Sequence, residues 1–242
     1  MELGLTDRTC IVTGASRGIG AASAALLESE GARVVRVSRS EGIDVTAPDA
    51  GERVLAVCDG APWALVNNAG VSQARGMDIA DEDWQEQWEL HVMGPMRLMR
   101  AVAPVMAEAG GGRIVNVSSS SGKRPSGRLD AAYSVTKAAL LSLSRVFADA
   151  WAAQGVLVNA VTPGPVEGEL WTSSGGLADQ IAARQGLDRE AVLSATRSGP
   201  PVGRMGTEEE IAAVIAFLCS TASSNVAGAA WSVDGGSVPV IL

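Results

Sequence analysis

The sequence predicts an α/β fold in which one parallel β-sheet carries helices on both of its faces. Short runs rich in β-branched residues alternate along the chain with longer stretches of helical periodicity. This alternation is typical of a parallel sheet, because neighbouring parallel strands need a crossover connection that is usually a helix. The chain has 242 residues, of which 47% are hydrophobic, so it can bury one large core, and no linker divides it.

Six strands and four helices are expected, and most strands are followed by Gly, Asn, Ser or Pro. The strands are predicted at residues 9–13, 33–37, 63–67, 113–117, 157–161 and 230–233. The helices are predicted at residues 18–30, 81–109, 131–154 and 208–220, and a capping box of Thr207 and Glu210 opens the last one. Such a doubly wound, Rossmann-like sheet binds its ligands at the carboxyl ends of the strands.

Composition argues against several classes of protein. The chain has 19 basic and 27 acidic residues, and this net charge of −8 disfavours a nucleic-acid-binding surface. The first residues lack a basic segment followed by an apolar run, and no apolar run reaches the roughly 18 residues that span a bilayer, so we expect a cytoplasmic protein without a membrane anchor. Cys10, Cys58 and Cys219 lack metal-ligand spacing and His91 is the sole histidine, so we expect buried thiols and no metal site.

A glycine-rich turn follows the first predicted strand, with the sequence TGASRGIG at residues 13–20. Glycines allow the backbone to turn tightly and to approach a pyrophosphate, whose charge then meets free N–H groups and the positive end of a helix dipole. A strand before the turn, a helix behind it and a second strand further on provide the context that this motif requires. The turn therefore predicts a dinucleotide site.

The glycine spacing belongs to a set of motifs that lie in a recognisable order. The others are NNAG at residues 67–70, IVNVSS at residues 114–119, Tyr133-x-x-x-Lys137, NAVTPG at residues 159–164 and VDGG at residues 233–236. Together, and over nearly the whole chain, the sequence resembles the single-domain short-chain dehydrogenase/reductase family. The resemblance implies a nicotinamide cofactor contacted by Gly14, Ser16, Arg17, Gly18, Ile19, Gly20, Arg39, Asp44, Val45, Asn68, Ala69, Gly70, Tyr133, Lys137, Pro163, Gly164 and Val166.

Tyr133 is the only tyrosine of the chain, and it lies four positions before Lys137 on a predicted helix. Residues four apart share a helix face, so the ammonium is expected near the phenol, where a cation favours phenolate and lowers the phenol pKa. The resemblance implies that Tyr133 exchanges a proton with the substrate oxygen, that Lys137 assists it and holds the nicotinamide ribose, and that a serine orients the carbonyl.

The assisting serine lies among the four consecutive serines at residues 118–121. Strand register matches the family's serine to Ser119, whereas the usual interval back from Tyr133 points to Ser120. We choose Ser119, because an extra residue in a polar loop is easier to accommodate than a slip that turns over every side chain of the strand.

The residues after the second strand bear on the choice of cofactor. No acidic residue follows Val37 that could bind a ribose 2′-hydroxyl, whereas Arg39 and Arg17 could hold a 2′-phosphate. NADP(H) is therefore favoured over NAD(H). Asp44 and Val45 resemble the family's adenine-contacting pair, but they come so soon after the strand that the usual intervening helix is missing.

Two positions depart from the family pattern. Gly168 stands where the family usually has a threonine that holds the nicotinamide carboxamide, and His91 stands where it has an asparagine that supports a water relay to the active-site lysine. His91 is either a packing residue of an apolar helix or a member of the proton path. We expect a helix distortion there, because Pro95 lies just downstream.

Residues 168–201 are predicted to form a substrate lid of one or two short amphipathic helices. Their apolar side chains suggest a partly hydrophobic substrate; they are Leu170, Trp171, Leu177, Ile181, Leu187, Val192 and Leu193. The loop residues Lys123, Arg124 and Arg128 either attract a carboxylate, a phosphopantetheine or an acidic carrier protein, or form a solvated edge.

The sequence thus predicts an NADP(H)-dependent carbonyl reductase or alcohol dehydrogenase acting on a small ketone or secondary alcohol. The alternatives are a 3-oxoacyl thioester reductase and, from another class, a nucleotide-binding module with weak or no turnover. A homotetramer is expected by resemblance, and two apolar segments agree with it. They are the chain end at residues 238–242 and a group on the helix of Tyr133, namely Leu140, Leu141, Leu143, Val146, Phe147 and Trp151.

Overall fold

The computed structural model describes residues 2–125 and 130–239 and contains one six-stranded sheet. The strands are β1 (Thr9–Thr13), β2 (Arg33–Val37), β3 (Ala64–Asn67), β4 (Gly112–Val117), β5 (Val156–Pro163) and β6 (Ala230–Val233). Every predicted strand is found, with ends that differ by at most two residues. All strand pairs are parallel and the strand order is β2-β1-β3-β4-β5-β6, which confirms the predicted architecture.

Helices cover both faces of the sheet. They are α1 (Gly18–Ser29), α2 (Ala50–Ala56), α3 (Asp81–Trp88), α4 (Gly94–Glu108), α5 (Ser120–Lys123), α6 (Ala131–Trp151), α7 (Glu169–Thr172), α8 (Leu177–Gln185), α9 (Arg189–Ser198) and α10 (Glu208–Cys219). The predicted capping box of α10 is present, since Thr207 accepts from the Glu210 N–H and Glu210 accepts from the Thr207 N–H. No helix in the described part of the chain is long and apolar enough to cross a membrane.

The core has two layers that the strands separate. Cys10 and Val12 of β1 pack with α1 and α10 on one face, whereas Ile11 packs with α2 and α4 on the other. A strand buried on both faces is a near-continuous apolar run, which is why β1, β3 and β4 were readable in the sequence. A third apolar cluster lies within residues 171–205 together with Ala74, and it forms the small core of the predicted lid.

Several helical segments differ from the expectation. The predicted helix 81–109 is divided by a π-helical turn, Glu89–Met93, which confirms the distortion expected near Pro95. The predicted lid holds three short helices, α7 to α9, instead of one or two. Helix α2 was not predicted at all. After β2 only a short 3₁₀ turn, Arg39–Glu41, precedes Asp44, so the long helix missing from the sequence pattern is missing from the fold as well.

Candidate active site

The glycine-rich turn joins β1 to α1 at the carboxyl end of the sheet. Gly14 has a φ of 66°, and a Cβ there would lie 2.9 Å from the Ala69 Cα. A Cβ at Gly20 would lie 2.2 Å from the Gly14 carbonyl oxygen, so α1 packs this closely only because residue 20 is glycine. No side chain caps the N-terminus of α1, whose first N–H groups lack helical partners. The backbone therefore fits a pyrophosphate, as expected for a dinucleotide cofactor.

Thr13 and Asn68 tie this turn to the segment after β3. The Thr13 hydroxyl accepts from the Asn68 N–H at 2.9 Å and from the Ala69 N–H at 3.0 Å, and it donates to the Val66 carbonyl. The Asn68 side-chain amide donates to the Thr13 and Gly14 carbonyls at 3.0 and 3.2 Å. Asn68 thus holds the shape of the turn, and the supporting role of Thr13 was not predicted from the sequence.

Ser119, Tyr133 and Lys137 come together at the end of β4 and the start of α6. The Ser119 side chain hydrogen-bonds to the phenol of Tyr133, and its oxygen also accepts from the Ser121 N–H at 3.1 Å. The Lys137 ammonium donates to the Val117 carbonyl at 2.8 Å and lies 5.6 Å from the centre of the Tyr133 ring. Of the two serines considered, Ser119 is the one found bonded to Tyr133.

The pKa values at this constellation differ from the expectation in one respect. Burial raises the pKa of the Tyr133 phenol, and the hydrogen bond to Ser119 opposes this only in part. The expected lowering by Lys137 is therefore wrong for the cofactor-free protein, because desolvation of a phenolate outweighs the effect of a cation more than 5 Å from the ring. Burial also lowers the pKa of Lys137 to about 8. Tyr133 is consequently a neutral proton donor at neutral pH.

The first turn of α6 is held by a buried carboxylate that sequence reasoning did not single out. Asp130 is fully buried and caps the helix, since its Oδ1 accepts from the Tyr133 N–H at 3.3 Å. Its Oδ2 accepts from the Gln87 amide and from the Arg75 guanidinium. The spacing of Asp130 from Tyr133 is that of an ordinary N-cap, which was the available signal.

His91 lies directly behind Tyr133 and Lys137, fully buried in the π-helical turn. Its Nε2 accepts from the Val71 N–H at 3.1 Å, and its Nδ1 lies 3.0 Å from the Thr136 hydroxyl. That hydroxyl donates to the Tyr133 carbonyl, so the network assigns the imidazole proton to Nδ1.

Burial, and then the charge of Lys137, hold the pKa of His91 well below its usual value. The ring is therefore neutral at neutral pH. Both ring nitrogens are hydrogen-bonded, to Val71 and to Thr136, so neither is available to pass a proton. This argues against a role of His91 in the proton relay. The imidazole instead ties the loop at Val71 to the helix that carries Tyr133.

The predicted 2′-phosphate residues lie on the surface. Arg39 is exposed in the 3₁₀ turn after β2, and its charge acts on Asp44. Arg17 is also exposed, and its guanidinium lies 4.0 Å from Glu169 at the start of the lid. Asp44 accepts from the Thr46 N–H at 2.9 Å and from the Thr46 hydroxyl, which lowers the pKa of its carboxyl. Asp44 therefore shapes a turn in the short segment that ends at the buried Val45.

The residues after β5 were also expected to contact the cofactor. Gly164, which follows Pro163, donates from its N–H to the Val233 carbonyl at 3.1 Å, and Val166 pairs with Gly206. At Gly168 the space of the expected threonine is filled, because a Cβ there would lie 2.5 Å from Oε1 of Glu208. No sequence pattern pointed to Glu208 as a neighbour of this site.

The structure bears on two expectations about the substrate side. The Lys123 ammonium donates to the Ala230 carbonyl at 2.7 Å and to the Ser232 hydroxyl at 3.0 Å, so it is bound to β6 and does not form a free basic patch. Arg128 lies outside the described residues. Most of the apolar lid residues are buried in the lid's own core, whereas Leu170 and Leu187 are about half exposed, so they give no direct sign of an apolar substrate.

Comparison with known proteins bears on this site. A protein-family model described as enoyl-(acyl carrier protein) reductase matches residues 43–237. The cis-4-hydroxycyclohexanecarboxylate dehydrogenase of Sinomonas cyclohexanicum is 35% identical, over 97% of this chain and 98% of the relative. The 3-oxoacyl-[acyl-carrier-protein] reductase of Vibrio cholerae is 33% identical, over 97% of this chain and 98% of the relative. The chain belongs to the short-chain dehydrogenase/reductase family.

A solved structure adds a cofactor-bound relative. The L-sorbose reductase from Gluconobacter frateurii, complexed with NADPH and L-sorbose, superposes with a TM-score of 0.89 at 31% sequence identity, with full coverage of both chains. This short-chain dehydrogenase/reductase is therefore an oxidoreductase that acts on alcohol and carbonyl groups.

Proposed function

We propose that this protein is an NADP(H)-dependent carbonyl reductase that converts a small ketone to a secondary alcohol. The observation that carries the proposal is the hydrogen-bonded Ser119–Tyr133 pair with Lys137 beside it, at the same edge of the sheet as the glycine-rich turn. A phenol that can donate a proton, with an ammonium group beside it and a nucleotide-binding turn nearby, suits proton transfer coupled to hydride transfer.

A bound nicotinamide would supply or accept the hydride at the substrate carbon. Ser119 donates a hydrogen bond to the substrate oxygen and fixes its position. Tyr133 transfers its phenol proton to that oxygen as the carbon–oxygen double bond becomes a single bond. The phenolate that remains is stabilised by the Lys137 ammonium, and reprotonation from solvent restores the enzyme.

The protonation state of Tyr133 supports the reductive direction. Burial raises its pKa, so the phenol carries the proton that reduction consumes. Oxidation of an alcohol needs the phenolate, which this environment disfavours in the absence of cofactor. His91 is a positioning residue in this proposal, because its hydrogen bonds to Val71 and Thr136 fix the helix that carries Tyr133.

NADP(H) is favoured over NAD(H) because an exposed arginine, Arg39, follows β2 and no carboxylate occupies that position. Arg17 offers a second guanidinium at the N-terminus of α1. Charge-assisted bonds from such groups suit a 2′-phosphate. The NADPH complex of the L-sorbose reductase supports the same choice.

The substrates named for similar proteins indicate the substrate class better than the side chains of the lid do. Two similar proteins are named for hydroxylated substrates, a sugar and a cyclic hydroxy acid. The lid core uses most of the apolar side chains that had suggested an apolar substrate. We therefore expect small ketones that carry further hydroxyl or carboxyl groups.

A 3-oxoacyl thioester reductase is the second candidate, since the family model and the Vibrio cholerae relative both carry acyl-carrier names. The engagement of Lys123 with β6 weakens the case for a carrier-protein docking patch at that loop.

The test is NADPH oxidation measured against sugars, cyclic ketones, keto acids and acetoacetyl thioesters. Reduction of free ketones supports the proposal, and exclusive use of thioesters supports the second candidate. Cofactor binding without turnover on the whole panel would instead indicate a binding module.

We also propose a homotetramer, which light scattering would test. The apolar group on α6 supports it less than the sequence suggested. Leu140 is buried within the chain, whereas Val135 and Val146 remain about half exposed. The chain end bears on the same proposal, but residues 240–242 lie outside the described part.

A further inference from the structure

Glu208 is the first residue of α10, and its carboxylate lies against two glycines from distant parts of the chain. Its Oε1 would be 2.5 Å from a Cβ at Gly168, which precedes α7. The same oxygen would be 3.7 Å from a Cβ at Gly18, the first residue of α1. Glu208 therefore lies where the lid begins and where α1 presents its N-terminus.

In the described part of the chain, the Glu208 carboxylate is not compensated by a hydrogen bond or an ion pair. Within residues 2–125 and 130–239, no hydrogen bond or ion pair involves its oxygens, whereas Glu210 pairs with Arg204 and caps α10. The charged groups that act on Glu208 are acidic, Glu209 on its own helix and Glu169 at the start of α7. In the glycine-rich turn, the Arg17 guanidinium lies 4.0 Å from the Glu169 carboxylate.

Burial raises the pKa of Glu208, and Glu209 and Glu169 raise it further. The dipole of α10 favours a carboxylate in the first turn of that helix, and Glu208 also lies beside the N-terminus of α1, where its charge acts on what binds there. The N-terminus of α1 is uncapped and attracts an anion. A carboxylate and a pyrophosphate at one helix end repel each other.

We propose that Glu208 limits the strength of cofactor binding by opposing the pyrophosphate at the N-terminus of α1, and that the protein binds the dinucleotide most tightly when Glu208 is neutral. The inference rests on the proposed use of the glycine-rich turn for a dinucleotide. A side chain at residue 168 would require the carboxylate to move, because a Cβ there would lie 2.5 Å from its Oε1. The family pattern has a threonine at residue 168, whose hydroxyl is neutral. In this chain residue 168 is glycine and the Glu208 carboxylate lies in that space, so a negative charge stands there instead.

The test is calorimetric titration of NADP⁺ into the unmodified protein, Glu208→Gln and the control Glu209→Gln. Both variants lose one carboxylate from the same end of α10, but Glu209 is exposed. Glu208→Gln is expected to bind NADP⁺ about fivefold tighter at pH 8, the scale of one close charge pair in a solvent-like dielectric. Glu209→Gln should change the affinity by less than about twofold, as screened surface charges do.

The difference between Glu208→Gln and the unmodified protein should narrow as the pH falls, because a protonated Glu208 carries no charge, like glutamine. Unchanged or weaker binding by Glu208→Gln overturns the inference, and weaker binding would show that the carboxylate instead accepts a hydrogen bond from the cofactor. Tighter binding by both variants to the same degree also overturns it. If neither the unmodified protein nor Glu208→Gln binds NADP⁺ or NAD⁺, the proposed function itself fails. If the unmodified protein binds and the variant does not bind more tightly, only the role of Glu208 fails.

Discussion

Lys137→Met should stabilise the folded protein while it abolishes turnover. Burial lowers the pKa of Lys137 from its usual 10.5 to about 8, and the side chain is 4% exposed. At about 1.4 kcal/mol per pKa unit, keeping this ammonium charged at pH 7 costs roughly 3 kcal/mol. Methionine keeps the apolar stem but loses the bond to the Val117 carbonyl, which costs about 1 to 2 kcal/mol. The variant should therefore gain about 1 to 2 kcal/mol in its free energy of unfolding.

The stability difference between Lys137→Met and the unmodified protein should depend on pH. A base whose pKa is lower in the folded state destabilises the fold below that pKa, and the penalty fades as the pH rises from about 8 towards 10.5. The advantage of Lys137→Met should therefore be complete at pH 7 and should shrink by about 2 kcal/mol at pH 9.5. Urea denaturation of both proteins at the two pH values measures it.

Lys123→Met is the matched control, because Lys123 also donates to a backbone carbonyl but lies nearer the surface. It should be slightly destabilising, because the variant loses the hydrogen bonds to Ala230 and Ser232. A Lys137→Met variant that is less stable than the unmodified protein by the same amount at pH 7 and pH 9.5 would refute the reasoning from burial.

Further substitutions test the choice of cofactor, the role of Ser119 and the positioning role of His91. Arg39→Asp should shift preference from NADPH towards NADH by about 2 kcal/mol or more in kcat/KM, since a charge-assisted contact is replaced by repulsion; equal use of both cofactors by the unmodified protein would contradict this. Ser119→Ala should lower kcat about 100-fold, as loss of an oxygen-orienting donor does, whereas Ser120→Ala should stay within a few fold; the opposite order would move the role to Ser120. His91→Leu should lower kcat about tenfold or more with NADPH affinity unchanged, because the Val71 N–H loses its acceptor, whereas His91→Asn should stay active; a fully active leucine variant would leave His91 as packing alone.

The central strands could be predicted closely because they are buried on both faces. β1, β3, β4 and β5 are mostly apolar runs that end at a residue with turn character. The edge strands β2 and β6 are only partly buried, but they also have the predicted bounds. Helix α2 was missed because Ala50–Ala56 is short and contains Gly51. It is stabilised by packing against α4, where a Cβ at Gly51 would lie 2.6 Å from the Ala101 Cβ, and local propensity does not report such a contact.

The site was predictable where its chemistry depends on local spacing. Tyr133 and Lys137 share one helix face by their separation, and the glycine-rich turn requires its glycines for backbone reasons. The raised pKa of Tyr133 could not be predicted, because it depends on burial by residues far away in the chain. The approach of Glu208 to Gly18 and Gly168 is likewise a tertiary contact without a local pattern.

The most direct test of the central claim is the effect of Tyr133→Phe on turnover and on NADPH binding, measured on the same preparation. The phenol donates the proton, whereas the glycine-rich turn binds the cofactor independently of it. We predict that kcat falls to background for every ketone that the unmodified protein reduces, while the Kd for NADPH stays within a few fold. A phenylalanine variant that keeps most of its kcat would contradict the account.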